Sequence, residues 1–339
     1  MSFNQLVADD FVVSADSITA GLWTDSEVPE LTTFYTSSTQ AASSGGNYYL
    51  NIFSNAATSS LEFAITYGNQ LGSGSELYNS TVNGKSYSST IYGQYRSLVL
   101  GDENSNFVFG GVTSSDFWAI SIDRNRYKES LFPGSTTLLL SGSSGVISLT
   151  DNSNAVSSVQ FNDVGRVFQL VSGSAGTVFT GRNNEGYSDA SGSYGWFLPD
   201  IATYLLNPRA LGSLASAGGI TLNPVTGSNS NGSNNARLFT AISASGAASF
   251  TANSSETITS DYVFVRPRSS EYNYSENPSY ISGSTGEVLY PSFINNPITY
   301  ITTVGLYNDT NELLAVAKLS RPLQKDFTKE ALIRVKLDF

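Results

Sequence analysis

The sequence predicts a mainly β fold, built as antiparallel sheets or a β-sandwich, with one or two short helices that would make it α+β. Three observations predict it. Short apolar–polar alternations recur along the chain, the pattern of strands with one buried face. Ser, Thr, Asn and Gly fill much of the remainder, and they favour turns and extended backbone over helix interiors. The 339 residues are 40% hydrophobic and 12% aromatic, with 19 Tyr and 19 Phe, which is enough apolar surface for a sizeable core.

Residues 1–45 read as an N-terminal arm or peripheral layer that ends in a small-residue break at 41–46. Residues 46–211 read as a β-rich domain. Its first strand covers 48–53, and a turn through 54–57 leads to 61–67. There Leu61, Phe63, Ile65 and Tyr67 alternate on one face, so the strand should be half-buried. Residues 90–100 place Ile91, Tyr95, Leu98 and Val99 at helical spacing, and Asp102-Glu103-Asn104 should end that helix. Phe107–Phe109 and Phe117–Ile122 read as consecutive strands. After the Pro133-Gly134 turn, 136–140 and 145–150 form a hairpin around 141–144. Residues 166–171 alternate as a strand. Residues 194–206 are mostly apolar and broken by Pro199, which suggests a turn followed by a short buried element.

Residues 212–260 turn small and polar and read as a Ser/Gly/Asn-rich linker or insertion. Such a stretch buries too little apolar surface to offset its ordering cost, although Leu238–Ile242 can form one strand. Residues 261–339 read as a C-terminal β domain or the completion of a sheet. Strands are expected at 261–266, 300–306 and 313–319, with a turn at 308–311 and an interruption at Arg321-Pro322. The last segment sets Arg334, Lys336 and Asp338 on one face and Ile333, Val335, Leu337 and Phe339 on the other. No fixed-period repeat is present, which argues against a solenoid or propeller.

The chain contains no His and no Cys, and one Met. It therefore lacks the side chain that titrates near neutrality and the thiolate nucleophile. A Ser-His-Asp triad, a Cys-His pair and the usual zinc sites are excluded, as is a disulfide-stapled scaffold. A non-enzymatic role is the expectation, with no catalytic, cofactor-binding or metal residues assigned. Carboxylates remain as catalysts in principle, because glycoside hydrolysis needs only two. Asp123, Glu129 and Asp200 lie near aromatic residues but nothing in the sequence pairs them. Asp151–Asn154 and Asn308–Glu312 carry oxygen ligands of the kind calcium uses, yet neither matches the twelve-residue calcium loop, and Asx-rich turns explain both.

Charged residues make up only 13% of the chain, against about 25% in a typical soluble domain. A surface of hydroxyls and amides suits permanent packing against neighbours; a secreted protein with a polar uncharged face would show the same composition. The net charge of −11 disfavours a nucleic-acid or anionic-membrane partner. Residues 318–339 run against that sign. Lys318, Arg321, Lys325, Lys329, Arg334 and Lys336 outnumber Asp326, Glu330 and Asp338, so this tail is +3 and the rest is −14. It reads as a solvated strand face or a dock for an acidic neighbour. Arg124, Arg126 and Lys128 would share one face of an extended segment, as a carboxylate-binding cluster or as ordinary solvated charge. No targeting segment, and no apolar run of the roughly 18 residues of a membrane span, is visible. Three Asn-x-Ser/Thr matches, at Asn79, Asn253 and Asn273, are what an Asn/Ser-rich chain produces by chance.

Residues 303–317 read Thr-Val-Gly-Leu-Tyr-Asn-Asp-Thr-Asn-Glu-Leu-Leu-Ala-Val-Ala. This segment resembles a recurring hairpin in tail and baseplate proteins of tailed bacteriophages. In those proteins a strand ending in Gly-Leu-Tyr or Gly-Leu-Phe meets an acidic turn and then a Leu-Leu/Ile-Ala-Val strand. Leu332–Phe339 and Phe117–Gly134 also resemble virion structural proteins of large contractile-tailed phages. The likeness covers the end of the chain well and the middle loosely, and the Ser/Asn-rich stretch departs from it. It implies a tail, baseplate or neck component of a virion, assembled in the host cytoplasm through protein–protein contacts with other virion proteins and as a homo-oligomer. No functional residue carries over beyond the hairpin. The alternative is a carbohydrate-binding or glycan-depolymerising tail-associated protein that uses exposed Tyr and Trp. A cell-surface or adhesion domain is a third reading.

Overall fold

A computed structural model describes residues 4–25, 28–29, 34–36, 48–54, 60–179, 185–230, 232–246, 249–275 and 277–338. The break expected at 41–46, most of the turn at 54–57, and Phe339 lie outside the described residues. The protein is mainly β, with 42% strand and 16% helix, so the expected fold class holds. The chain divides into two units. One is Ser17–Glu256; the other joins Met1–Asp16 to Thr257–Phe339.

The chain opens with the long strand β1 (Phe11–Gly21), followed by the short pair β2 (Thr24–Asp25) and β3 (Val28–Pro29). Strands β4 (Leu50–Phe53) and β5 (Leu61–Asn69) lead to helix α1 (Tyr87–Leu100). A hairpin of β6 (Phe107–Phe109) and β7 (Val112–Ser114) precedes β8 (Asp116–Ile122) and the short β9 (Ser130–Leu131). Next come β10 (Thr137–Gly142), β11 (Gly145–Asp151), β12 (Gln160–Asn162), β13 (Gly165–Ser174) and β14 (Thr177–Val178). The unit continues with β15 (Gly195–Leu198), β16 (Thr203–Leu206), α2 (Pro208–Gly212), α3 (Ser233–Ser243) and β17 (Phe250–Thr251). The remaining elements are β18 (Asn253–Val265), α4 (Pro291–Asn295), β19 (Thr299–Tyr307), β20 (Leu313–Lys325) and β21 (Ile333–Asp338). None of the helices among the described residues is long and apolar enough to cross a membrane.

An antiparallel sheet in the order β17-β10-β11-β13-β15-β16-β8-β5-β4 builds the larger unit, with β12 and β14 attached to β13. Both of its faces are covered. On one, Phe63, Trp118, Tyr204, Phe197, Leu170 and Leu149 meet Leu238, Ala241 and Ile242 of α3 and Leu211 of α2. On the other, Phe117, Ala119, Leu205 and Val167 meet Ile91, Tyr92 and Val99 of α1 and Phe107 and Phe109 of β6. Aromatic cross-strand pairs reinforce the layers: Phe197 stacks on Tyr204 with ring centroids 4.8 Å apart, opposite it in register. Strand β5 is therefore buried on both faces rather than half-buried. Glu62 and Thr66, polar and placed where solvent was expected, are buried as well. Residues 194–206 form a two-stranded turn, β15 to β16 through Pro199, buried throughout apart from the partly exposed Trp196, Asp200 and Ile201.

Helix α1 stands where the spacing predicts it. Its end is set by Gly101, not by the acidic residues after it. Gly101 takes φ +63°, and a Cβ there would lie 1.8 Å from Asp163 Oδ2.

Residues 212–260 are not a linker or insertion, and Leu238–Ile242 is not a strand. Residues 212–256 belong to the larger unit and contain α3, while 257–260 fall in the smaller unit. Leu238, Ala241 and Ile242 fall at i, i+3 and i+4, so they share one helix face and all three are buried. The Asn residues help order the segment. Asn234 Oδ1 accepts from Val225 N (2.6 Å), its Nδ2 donates to Val225 O (3.1 Å), and its carbonyl accepts from Trp118 Nε1 (2.9 Å). Side-chain amides here do the work of a ladder, which composition alone does not reveal. The 1–45 boundary also moves. Residues 1–16 join the smaller unit, while Leu22, Trp23 and Phe34 enter the core of the larger one, so the segment is not a peripheral arm.

In the smaller unit, β18 pairs with β21 from Ser260↔Asp338 to Val265↔Ile333. Val263, Val304, Ile333 and Val335 form its buried cluster. The face assignment of β21 is as read from the sequence: Ile333 and Val335 are buried, Arg334 and Lys336 exposed. Strand β20 runs on through Arg321-Pro322 rather than breaking there. The register with β19 jumps from Ile301↔Leu323 to Thr303↔Lys318, and this bulge accommodates Pro322, which has no N–H to give a ladder. Lys325 is fully buried. Its ammonium donates to Asn273 Oδ1 (2.7 Å), Ser269 O (2.9 Å) and Asp326 O (3.0 Å), fixing 269–273 to the end of β20.

Candidate functional site

Of the three carboxylates singled out, Asp123 and Asp200 hold local structure together. Asp123 caps the 3₁₀ turn at 124–126 and accepts from Asn125 N (3.0 Å) and Asn125 Nδ2 (2.9 Å). Glu129 is exposed at the surface. Asp200 accepts from Arg166 N (2.7 Å), Nε (3.0 Å) and Nη2 (2.5 Å). Partial burial works against its charge, but these bonds outweigh it and hold Asp200 below the usual carboxylate range. A different carboxyl is perturbed upward. Burial raises Asp116, although Tyr67 OH (2.9 Å) and Ser114 Oγ (3.5 Å) donate to it. Tyr67, its partner, also lines a cavity of only ≈ 10 Å³ together with Ser75, Ser88 and Asn234. That space holds about one water and no substrate.

The oxygen-rich turns are closed on themselves. Both carboxylate oxygens of buried Asp151 accept from Gly134 N (2.9 and 3.0 Å), and Oδ1 also accepts from Ser153 N (3.2 Å). Asn308 Oδ1 accepts from Thr310 N (3.1 Å), Thr310 Oγ1 (2.7 Å) and Glu312 N (2.8 Å), an Asx turn that closes the β19–β20 hairpin. Among the described residues no cluster of three metal-binding side chains occurs.

Arg124, Arg126 and Lys128 do not share an extended face, because Arg124–Arg126 is a 3₁₀ turn. Arg124 lies over the Tyr127 ring (4.6 Å) and Arg126 pairs with buried Glu62 (2.6 Å). The basic tail is similarly occupied in part. Lys325 is buried, Lys329 pairs with Asp326 (3.4 Å), Lys336 pairs with Asp338 (2.8 Å), and Arg334 lies over Tyr262 (5.3 Å). Lys318 and Arg321 are exposed on β20.

Two surface features remain. First, the smaller unit exposes more large hydrophobic side chains than it buries. Four large hydrophobic side chains are buried in it among the described residues, while fifteen are exposed. They include Phe11, Val12 and Val13 (69% exposed) on β1, and Leu313, Leu314 (68%) and Val316 on β20. None of the 11 residues of β1 is buried, and β1 is the terminal strand in the order β1-β18-β21.

Second, a cleft of ≈ 350 Å³ opens in the larger unit between residues 152–160 and β13. Asn152 and Gln169 stand side by side on its wall. Asn152 N donates to Gln169 O (3.1 Å), and Asn152 Oδ1 accepts from Gln169 N (2.9 Å). Gln169 Oε1 accepts from Ser193 Oγ (2.6 Å) and Gly110 N (3.2 Å).

No family model, curated protein or solved structure matches this chain.

The sequence reading singled out neither feature. Phe11-Val12-Val13 was legible as an apolar triplet, but not that both faces of its strand lie open. Asn152 was noted only as a calcium-type oxygen; its pairing with Gln169 links positions 17 residues apart through sheet register. No local pattern carries that information.

Proposed function

We propose that this chain is a non-enzymatic structural subunit that acts by assembly, and that it is a tail, baseplate or neck component of a tailed-phage particle. The observation that carries the assembly reading is the inversion of burial in the smaller unit. A unit with four buried hydrophobics against fifteen exposed ones is short of core on its own account. The runs Phe11-Val12-Val13 and Leu313-Leu314, with Val316, supply neighbouring exposed apolar side chains of the kind a protein partner covers. Strand β1 adds an uncovered edge among the described residues, and such edges recruit partner strands. The β19–β20 hairpin presents Leu314 and Val316 in alternation with Lys318, and Arg321 is exposed further along β20, an apolar patch with a basic margin suited to an acidic neighbour such as the body of another copy. The phage assignment rests on the hairpin sequence, whose acidic turn is closed by Asn308 and Glu312.

Two experiments test this reading. Light scattering on the purified chain should show association that rises with concentration, and Val13→Glu and Leu314→Glu should each weaken it about tenfold or more without changing the melting temperature. Mass spectrometry of particles purified from the source of the chain should find it as a stoichiometric component. A chain that stays monomeric and is missing from particles would overturn the reading.

A further inference from the structure

We propose that the cleft beside β13 binds a neutral saccharide of one or two rings. The argument begins with two amides whose orientation is forced. A backbone N–H can only donate, so the Gly110 N–H must face the carbonyl oxygen of Gln169, and the Gln169 N–H must face that of Asn152. Neither amide can be flipped. Each is left presenting its NH₂ group: Gln169 Nε2 and Asn152 Nδ2 have no hydrogen-bond partner among the described residues, and both side chains line the cleft. The wall thus offers two fixed amide donors side by side, already positioned before any ligand arrives. Preorganised donors of this kind lower the ordering cost of binding.

The rest of the lining selects the ligand class. Ser157, Ser158 and Gln160 supply groups that donate and accept, which matches sugar hydroxyls. Val156 and Val167 supply apolar surface for the C–H face of a ring. No lining residue is charged, so an anion or cation would lose hydration with no counter-charge in return. A peptide is disfavoured by the backbone. An extended peptide binds by adding to a free strand edge. Here β13 is already paired with β11, β12 and β15, and at Gln169 both N–H and C=O are taken by Asn152. The polar groups left for a ligand are side-chain amides and hydroxyls. At ≈ 350 Å³ the cleft falls at the small end of ligand sites, which span roughly 300–1,000 Å³.

The site stands independently of the assembly reading, because it lies in the larger unit and uses none of the residues invoked there. The test is a printed array of neutral and acidic glycans probed with the full chain. Calorimetry then uses the free neutral mono- or disaccharide that gives the strongest signal. Wild type should bind neutral glycans in preference to acidic ones. Gln169→Glu and Asn152→Asp keep each bonded carbonyl oxygen and replace only the NH₂ group, so each should weaken binding about tenfold. Ser158→Trp, at an exposed rim position, should abolish binding by filling the cleft. Melting curves of all three variants identify any loss of fold, and the rim variant keeps the test decisive if an amide variant unfolds. Absence of neutral-glycan binding, preference for acidic glycans, capture of peptides alone, or binding unchanged in a folded Ser158→Trp would each overturn the proposal. Failure of any of these leaves the light-scattering result untouched.

Discussion

Removing Arg126 should cost far more than removing the glutamate it pairs with. Glu62 sits on β5, between β8 and the edge strand β4, with a side chain only 1% exposed, whereas the Arg126 side chain is 25% exposed. The pair is tight, 2.6 Å from Nη2 to Oε1. Arg126→Met therefore removes a counter-charge from a carboxylate buried in the sheet. Breaking a buried pair in this way costs about 3–5 kcal/mol. Glu62→Met leaves a guanidinium that keeps its Nε bond to Leu61 O (3.3 Å) and can turn to water. That loss should be ~1 kcal/mol. The double variant has no charge to strand, so it should recover most of the Arg126→Met loss. The coupling energy should be about 3–5 kcal/mol.

Tryptophan emission suits the measurement, because Trp23, Trp118 and Trp196 all belong to the Ser17–Glu256 unit. Urea unfolding followed by that signal reports this unit alone. If Arg126→Met costs less than about 1 kcal/mol, or Glu62→Met costs as much, the pair is not the structural tie described. The same experiment decides how the 124–128 cations are read. A partner-binding arginine would leave the urea midpoint unchanged and alter association instead.

Other changes have equally definite outcomes. Gly101→Ala, at φ +63° with Asp163 Oδ2 in the way, should destabilise the larger unit by about 1–3 kcal/mol, and an unchanged urea midpoint would refute the cap. Asp200 is held low because its bonds to Arg166 outweigh its burial, so its contribution is present above the ordinary carboxylate pKa of about 3.9 and is lost as pH falls through its lower folded value. The stability gap between wild type and Asp200→Asn should therefore be full at neutral pH and close in acid; a gap that survives in strong acid would contradict this. Millimolar calcium or a chelator should leave the melting temperature unmoved, since the Asp151 oxygens are already spent on Gly134 and Ser153. A rise on adding calcium would show a site at that turn.

Legibility followed the number of covered faces. Strand β21 has one buried face, and its alternation gave the inward residues Ile333 and Val335 correctly. Strand β5 is covered on both, by α1 on the side that carries Glu62 and Thr66. Its polar residues imitate a solvent face, and the ion pair that the distant Arg126 makes with Glu62 is not visible in any local pattern. Helix α3 failed for a different reason. Its three buried apolar residues are at helical spacing, but the Asn and Ser around them give the stretch a loop-like composition, while the bonds that order Asn234 reach Val225 and Trp118. Pro322 was read by its rule for regular strands, and the bulge opposite Thr302 is where that rule lapses.

The same geometry decides how assembly should be probed at the C-terminus. Cutting the chain at Lys325 would seem a direct way to remove a basic docking tail. It would also remove the buried ammonium that holds Ser269 and Asn273, and with it Ile333 and Val335, half of the four-residue core of that unit. A truncated chain that fails to assemble would thus report lost folding as readily as lost contact. Of the tail's exposed cations, Lys318 and Arg321 lie on β20, Lys318 in alternation with Leu314 and Val316. Lys318→Glu with Arg321→Glu reverses the charge of that margin and leaves the core intact. Association weakened by this pair, with both units still folded, would locate the contact on the hairpin; association unchanged by it but lost in Val13→Glu would locate it on the β1 edge.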